Sequence, residues 1–171
     1  ILQHIEKNDA RVTFIHNQLE KINSELAKIN KSLAVFYGNP LEIYEKLITE
    51  NTISSVYTNH DYEPYARKRD LALYELFKKH KIIFKTCKDQ VIFEKSEITK
   101  DDGLPYVVYT PYSNKWKAKL KEITLIKYPS ETKLDKIISH SYPFLSLNEI
   151  GFEKTTIELP EYNISEKLVS E

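Results

Sequence analysis

Apolar residues recur at Ile15, Leu19, Ile22, Leu26, Ile29 and Leu33, in steps of four and three that place them on one helix face. The pattern predicts an amphipathic helix docked on a sheet, preceded by a short helical piece over residues 1–7 that Asn8-Asp9 breaks. A partner helix is the alternative, but a coiled-coil seam needs at least ~3–4 sustained heptads. Leu33-Ala34-Val35-Phe36-Tyr37 is then a nearly continuous apolar run, the pattern of a strand covered on both faces. Gly38-Asn39-Pro40 ends it, and Pro40 opens a helix over residues 41–50, at a position where its missing N–H costs nothing.

The next β-branched run, residues 53–57, predicts a second strand. Glu63-Pro64 opens a helix to about Lys81, with Leu71, Tyr74 and Phe77 on its apolar face. Ile82-Ile83-Phe84 predicts a third strand and residues 90–93 a short fourth. Strands alternating with helices through short joints imply parallel pairing, so the fold class is α/β. Beyond Glu94 the periodicity fades apart from a helix over about residues 113–121. After Lys127 the chain holds Pro129, Pro143 and Pro160 and reads as a surface connector.

A length of 171 residues suits one domain with a sizeable core. Twenty-five basic side chains balance 25 acidic ones, so no overall field draws the chain to nucleic acid or anionic lipid. Lys115, Lys117, Lys119 and Lys121 surround Trp116, but alternate lysines spread around a helix and read as a solvated face. The single cysteine, Cys87, makes no internal disulfide and points to a reducing, cytoplasmic setting. No apolar run reaches the roughly 20 residues that cross a bilayer. The absence of methionine and the opening at Ile1-Leu2 lead us to expect a piece of a longer protein.

Candidate chemistry concentrates in residues 56–70, which join an apolar run, a polar loop and a charged helix start. Ligands of open α/β sheets bind beyond the carboxyl ends of the strands, and Asn59, His60, Asp61 and Glu63 fall there. Taken alone, Asn59 and Asp61 also suit turn formation or helix capping, and Glu63 suits a helix dipole. Arg69 and Asp70 are adjacent on the helix and are expected to pair with separate partners.

Asn59, Asp61, Glu63, Pro64, Tyr65, Arg69 and Asp70 resemble a segment of the DNA photolyase and cryptochrome family, Asn-x-Asp-x-Glu-Pro-Tyr-x-x-x-Arg-Asp. A second stretch, residues 103–112 with Gly103, Pro105, Tyr106, Thr110, Pro111 and Tyr112, followed by Trp116, is similar to the family's Gly-x-Pro-Tyr-x-x-Phe-Thr-Pro-Phe and following Trp. The resemblance covers nearly the whole chain. It implies a Rossmann-like parallel sheet over residues 1–127, forming an antenna domain without its first strands. Residues 128–171 are then a connector towards a helical FAD domain that is absent here.

The resemblance further implies that Asn59, Asp61 and Glu63 bind an antenna chromophore of deazaflavin, flavin or folate type. Tyr65-Ala66 stands where some folate-binding relatives carry Asn-Glu, and Glu-Pro-Tyr looks more like deazaflavin-type members. The parent would be a deoxyribodipyrimidine photolyase, a carbon–carbon lyase that uses light and FAD to split pyrimidine dimers in damaged DNA. This segment alone is not expected to be catalytic. A cryptochrome-like photoreceptor and a light-independent nucleotide-binding or interaction module are the alternatives, since fold alone assigns no function. Without the family's central strands, residues 33–37 would be separated from residues 53–57, so we expect a longer parent or an altered pairing. Thr110-Pro111-Tyr112 and Trp116 are expected to be packing elements.

Overall fold

The computed structural model describes residues 4–124, 126 and 128–157. Two compact units form: one from Gly38–Pro129, the other from the described residues before and after it.

In the first unit, helix α1 (Pro40–Glu50) begins where the sequence places it. Asn39 Oδ1 accepts the Leu41 N–H at 2.9 Å, satisfying one of the orphan donors of the first turn. Strand β1 (Ser55–Asn59), helix α2 (Pro64–Lys79) and strand β2 (Ile83–Cys87) follow. The strands pair in parallel, with Ser55 opposite Ile83 and Asn59 opposite Cys87. Both run further towards their carboxyl ends than the apolar residues suggest, which brings Asn59 into the ladder.

Phe77 is fully buried, with Tyr44 edge-on at 5.1 Å and Phe84 at 5.2 Å between ring centroids. Leu73, Leu76 and Ile82 complete this core, and Leu41, Ile48, Ile53 and Val56 pack on it. The expected face of α2 is corrected here. Phe77 belongs to it, but Leu71 is 64% and Tyr74 46% exposed. At 100° per residue, Ala66, Leu73, Leu76 and Phe77 form one stripe; Leu71 falls opposite it and Tyr74 on its flank. The helix stops at Lys79, and Lys81 takes a positive φ of 58°. That turn lets Ile82 N–H bond Phe77 O at 2.9 Å and drops the chain into β2.

The fourth strand expected over residues 90–93 does not form. Phe93 is buried edge-on against Trp116 at 5.5 Å, and the Glu94 N–H is taken by Glu97 Oε2 at 2.6 Å, which closes a turn. Helix α3 (Tyr109–Glu122) starts four residues before the expected 113. Pro111 lies in its first turn, where no intrahelical donor is needed, so the expected Thr110-Pro111-Tyr112 turn is helical.

The second unit is built on helix α4 (Ala10–Ala27). Asp9 Oδ1 accepts the Arg11 N–H at 2.8 Å, and Asp9 Oδ2 meets the Arg11 guanidinium at 2.6 Å. Val12 packs with Leu147 and Phe152, buried Thr13 accepts the Thr155 N–H at 3.1 Å, and His16 Nε2 bonds Leu145 O at 2.8 Å. The packed face is therefore set by residues 12, 13 and 16 against the later segment. Ile15 and Ile22 of the expected sheet-docking stripe are exposed, and Ile29 and Leu33 lie beyond the helix end.

Residues 33–37 are not a strand, contrary to expectation. The Leu33 N–H bonds Asn23 Oδ1 at 2.8 Å, and Ser32 Oγ accepts the Tyr142 N–H at 3.0 Å. A side chain takes the Leu33 N–H here, Phe36 packs edge-on against Tyr142 at 6.0 Å, and Phe36 and Tyr37 stay about half exposed. The helical piece expected over residues 1–7 lies partly outside the described residues, and residues 5–9 form a bend and turn.

Candidate functional site

The parallel ladder places the carboxyl ends of β1 and β2 side by side, and the loops leaving them supply the site. His60 N–H bonds Cys87 O at 2.7 Å, extending the ladder by one step. Asn59, the last residue of β1, donates from Nδ2 to Asp89 Oδ2 at 2.8 Å. Its position is thus fixed by the sheet, while its partner comes from the loop after β2.

His60 joins three parts of this end. Its Nδ1 is hydrogen-bonded to Glu94 Oε1, and its Nε2 lies 2.8 Å from Thr86 Oγ1. A carboxylate only accepts, so Nδ1 carries the proton and, in the neutral ring, the Thr86 hydroxyl donates to Nε2. Tyr62 O–H also donates to Glu94 Oε1, at 3.0 Å. These two donors, His60 first, hold the Glu94 carboxyl below its ordinary range. Burial, and then the bond to Glu94, pushes the Tyr62 phenol up. Glu97 is lowered by Lys88, whose ammonium lies 2.8 Å from Oε2, and by the Glu94 N–H.

Asp61 Oδ1 accepts the Glu63 N–H at 3.1 Å, an Asx turn that delivers the chain into α2. Glu63 stands at the N-cap of that helix but makes no side-chain cap. Its carboxylate is exposed and has no hydrogen-bond partner among the described residues. Asn59, Asp61 and Glu63 therefore share one end of the sheet, with Asn59 and Asp61 engaged by their own chain and Glu63 open. The set offers one amide and two carboxylates, which suit ring N–H groups, ring carbonyls and hydroxyls.

The expectation for Arg69 and Asp70 is corrected: Arg69 Nε donates to Asp70 Oδ1 at 2.8 Å. The rule that adjacent helix residues diverge concerns their Cβ directions, and the long guanidinium arm folds back across the gap. That bond raises the Arg69 pKa. Of the basic run on α3, Lys115 pairs with Asp101 at 2.7 Å and Lys119 Nζ donates to Glu97 O at 2.8 Å.

Thr86, Asp89 and Glu94 were not among the candidate residues, and His60 entered only by its place in the loop. Parallel pairing held a usable signal, because whatever follows the second strand emerges at the same end as Asn59.

The family model for DNA photolyase matches residues 2–132. The chain belongs to the DNA photolyase family. Against the deoxyribodipyrimidine photo-lyase of a Synechococcus strain it is 29% identical over 162 residues, 90% of this chain and 33% of the relative. It is 23% identical over 155 residues to cryptochrome-1 of Spalax judaei, covering 84% of this chain and 26% of the relative. Among solved structures, a bacterial class III photolyase from Agrobacterium tumefaciens superposes with a TM-score of 0.56 at 28% identity. That superposition covers 65% of this chain and 22% of the other. The chain spans about half, or less, of the length of the curated relatives it matches. The photolyase superposition agrees with the α/β class and its parallel strand pair flanked by helices. Among the described residues no helix is long and apolar enough to cross a membrane.

Proposed function

We propose that this photolyase-family chain is the light-harvesting domain of a deoxyribodipyrimidine photolyase. Its parent acts in the cytoplasm, where it uses light and FAD to split pyrimidine dimers in DNA. Residues 1–127 form the antenna domain, and residues 128–171 lead to a helical domain that holds the FAD. The observation that carries this reading is the family match over residues 2–132.

An antenna chromophore of deazaflavin, flavin or folate type sits at the carboxyl ends of β1 and β2. When bound, it supplies absorption of near-ultraviolet or blue light and passes the excitation on. The chain's own residues hold and orient it. Asn59 presents both an amide donor and an acceptor, the Asp61 turn fixes the loop, and the open Glu63 carboxylate accepts from a ring N–H or hydroxyl. This donor set fits the polar edge of a flavin or pterin ring. Damaged DNA meets the parent protein, and the dimer must leave the base stack to reach its flavin.

The test is repair of a dimer-containing oligonucleotide by the purified parent, in light and in darkness. Light-dependent loss of dimers supports the reading. The cryptochrome-1 match favours a second reading, a blue-light photoreceptor, and flavin absorption without repair would select it.

A further inference from the structure

The loop after β2 contains an exposed strap, residues 88–92, between the end of the ladder and the buried anchor Phe93. Phe93 is fixed by Trp116, with the ammonium groups of Lys88 and Lys119 about its ring at 6.0 and 5.4 Å. The floor below is equally well tied. His60 spans Thr86 and Glu94, Tyr62 shares Glu94, and the Glu94 N–H is held by Glu97. Between these fixtures, the strap's side-chain hydrogen bond to the end of β1 is Asn59 Nδ2 to Asp89 Oδ2.

Lys88, the neighbouring cation, is committed to Glu97 through both carboxylate oxygens, and the Asp89 bond is with the neutral Asn59 amide. A carboxylate accepting from a neutral, exposed amide is easily exchanged, because water or another acceptor replaces it at small cost. Its position matters more than its strength. Asp89 takes one of the two N–H donors that the Asn59 amide could turn to an incoming ring carbonyl, and it does so from the exposed strap.

We propose that Asp89 is an internal competitor at the antenna site: it occupies the Asn59 amide while the site is empty, and a ligand carbonyl displaces it as the strap swings out. The proposal rests on the reading of Asn59 as a chromophore ligand. Loading then exchanges one hydrogen bond for another, and the strap sets the affinity without touching the chromophore.

The experiment is a fluorescence titration of the full chain, wild type and Asp89→Ala, with riboflavin and separately with methenyltetrahydrofolate. The Asn59 side-chain amide signals are followed alongside by nitrogen-15 NMR. Riboflavin is uncharged, so removing the Asp89 charge does not by itself attract it. Asp89→Ala is expected to tighten binding of the accepted probe about three- to tenfold, the range of a modest hydrogen bond. The Asn59 amide signals should shift in Asp89→Ala without ligand and in wild type on loading. Asn59→Ala should abolish the difference between the two backgrounds. Equal affinity in wild type and Asp89→Ala, with Asn59 signals moving on loading, overturns the competition and leaves the antenna reading standing. Binding of neither probe by either protein overturns both.

Discussion

His60 and Glu94 lie 34 positions apart in sequence and meet in a hydrogen bond at the carboxyl end of the parallel strand pair. The imidazole is placed by the ladder, because the main-chain N–H of His60 bonds Cys87 O. The carboxylate is placed by the turn after Phe93. Their contact therefore reports whether the two loops of the site are assembled.

Acid should separate this pair. The Glu94 carboxyl is held low, by His60 first and Tyr62 second. A carboxyl lowered on folding adds stability above its unfolded pKa, and that stability is lost as pH falls through the lowered folded value. Urea midpoints measured from pH 7 down to pH 3 should fall more steeply in wild type than in Glu94→Gln. Parallel slopes would mean that the bond is absent in solution.

Asp9 gives a second, independent acid response in the other unit. The Arg11 side chain, and then its N–H, hold the Asp9 carboxyl at about 2, against an ordinary 3.8. By the same sign, its contribution is complete above about 3.8 and disappears as pH falls through about 2. Circular dichroism of Asp9→Asn against wild type should converge at the acid end of that window and differ most above it.

Phe77→Ala should cost about 3–5 kcal/mol, the usual range for emptying a buried aromatic site. That is a large share of the total stability of a domain this small. Chemical denaturation is the measurement, and a loss under about 1 kcal/mol would contradict the packing of Tyr44 and Phe84 around this ring.

Asn39→Ala removes the cap at the start of helix α1 and should cost about 0.5–2 kcal/mol. Asn39→Ser should recover most of the loss, because a serine hydroxyl can accept the same N–H.

What the sequence made legible is what local chemistry decides. Asn39-Pro40 and Glu63-Pro64 mark helix starts because capping and proline geometry act within a few residues. Strands flanking a helix imply a parallel pair because the connection leaves few alternatives. What stayed hidden depends on distant partners. Residues 33–37 look like a buried strand, but Asn23 takes the Leu33 N–H and Tyr142 packs against Phe36. Leu71 and Tyr74 are as apolar as Leu73 and Leu76, and only the direction of the neighbouring strands chooses between the faces. Asn59, Asp61 and Glu63 share the carboxyl end of one strand by sequence order, whereas Asp89 and Glu94 are ordinary acidic loop residues until the strands are paired.

The most direct test of the antenna reading is an absorption spectrum of the purified parent, wild type against Asn59→Ala with Glu63→Ala. The account predicts that the antenna band is lost or strongly reduced while the flavin bands of the helical domain persist. An antenna band of full intensity in the double variant would contradict the placement of the chromophore at this end of the sheet.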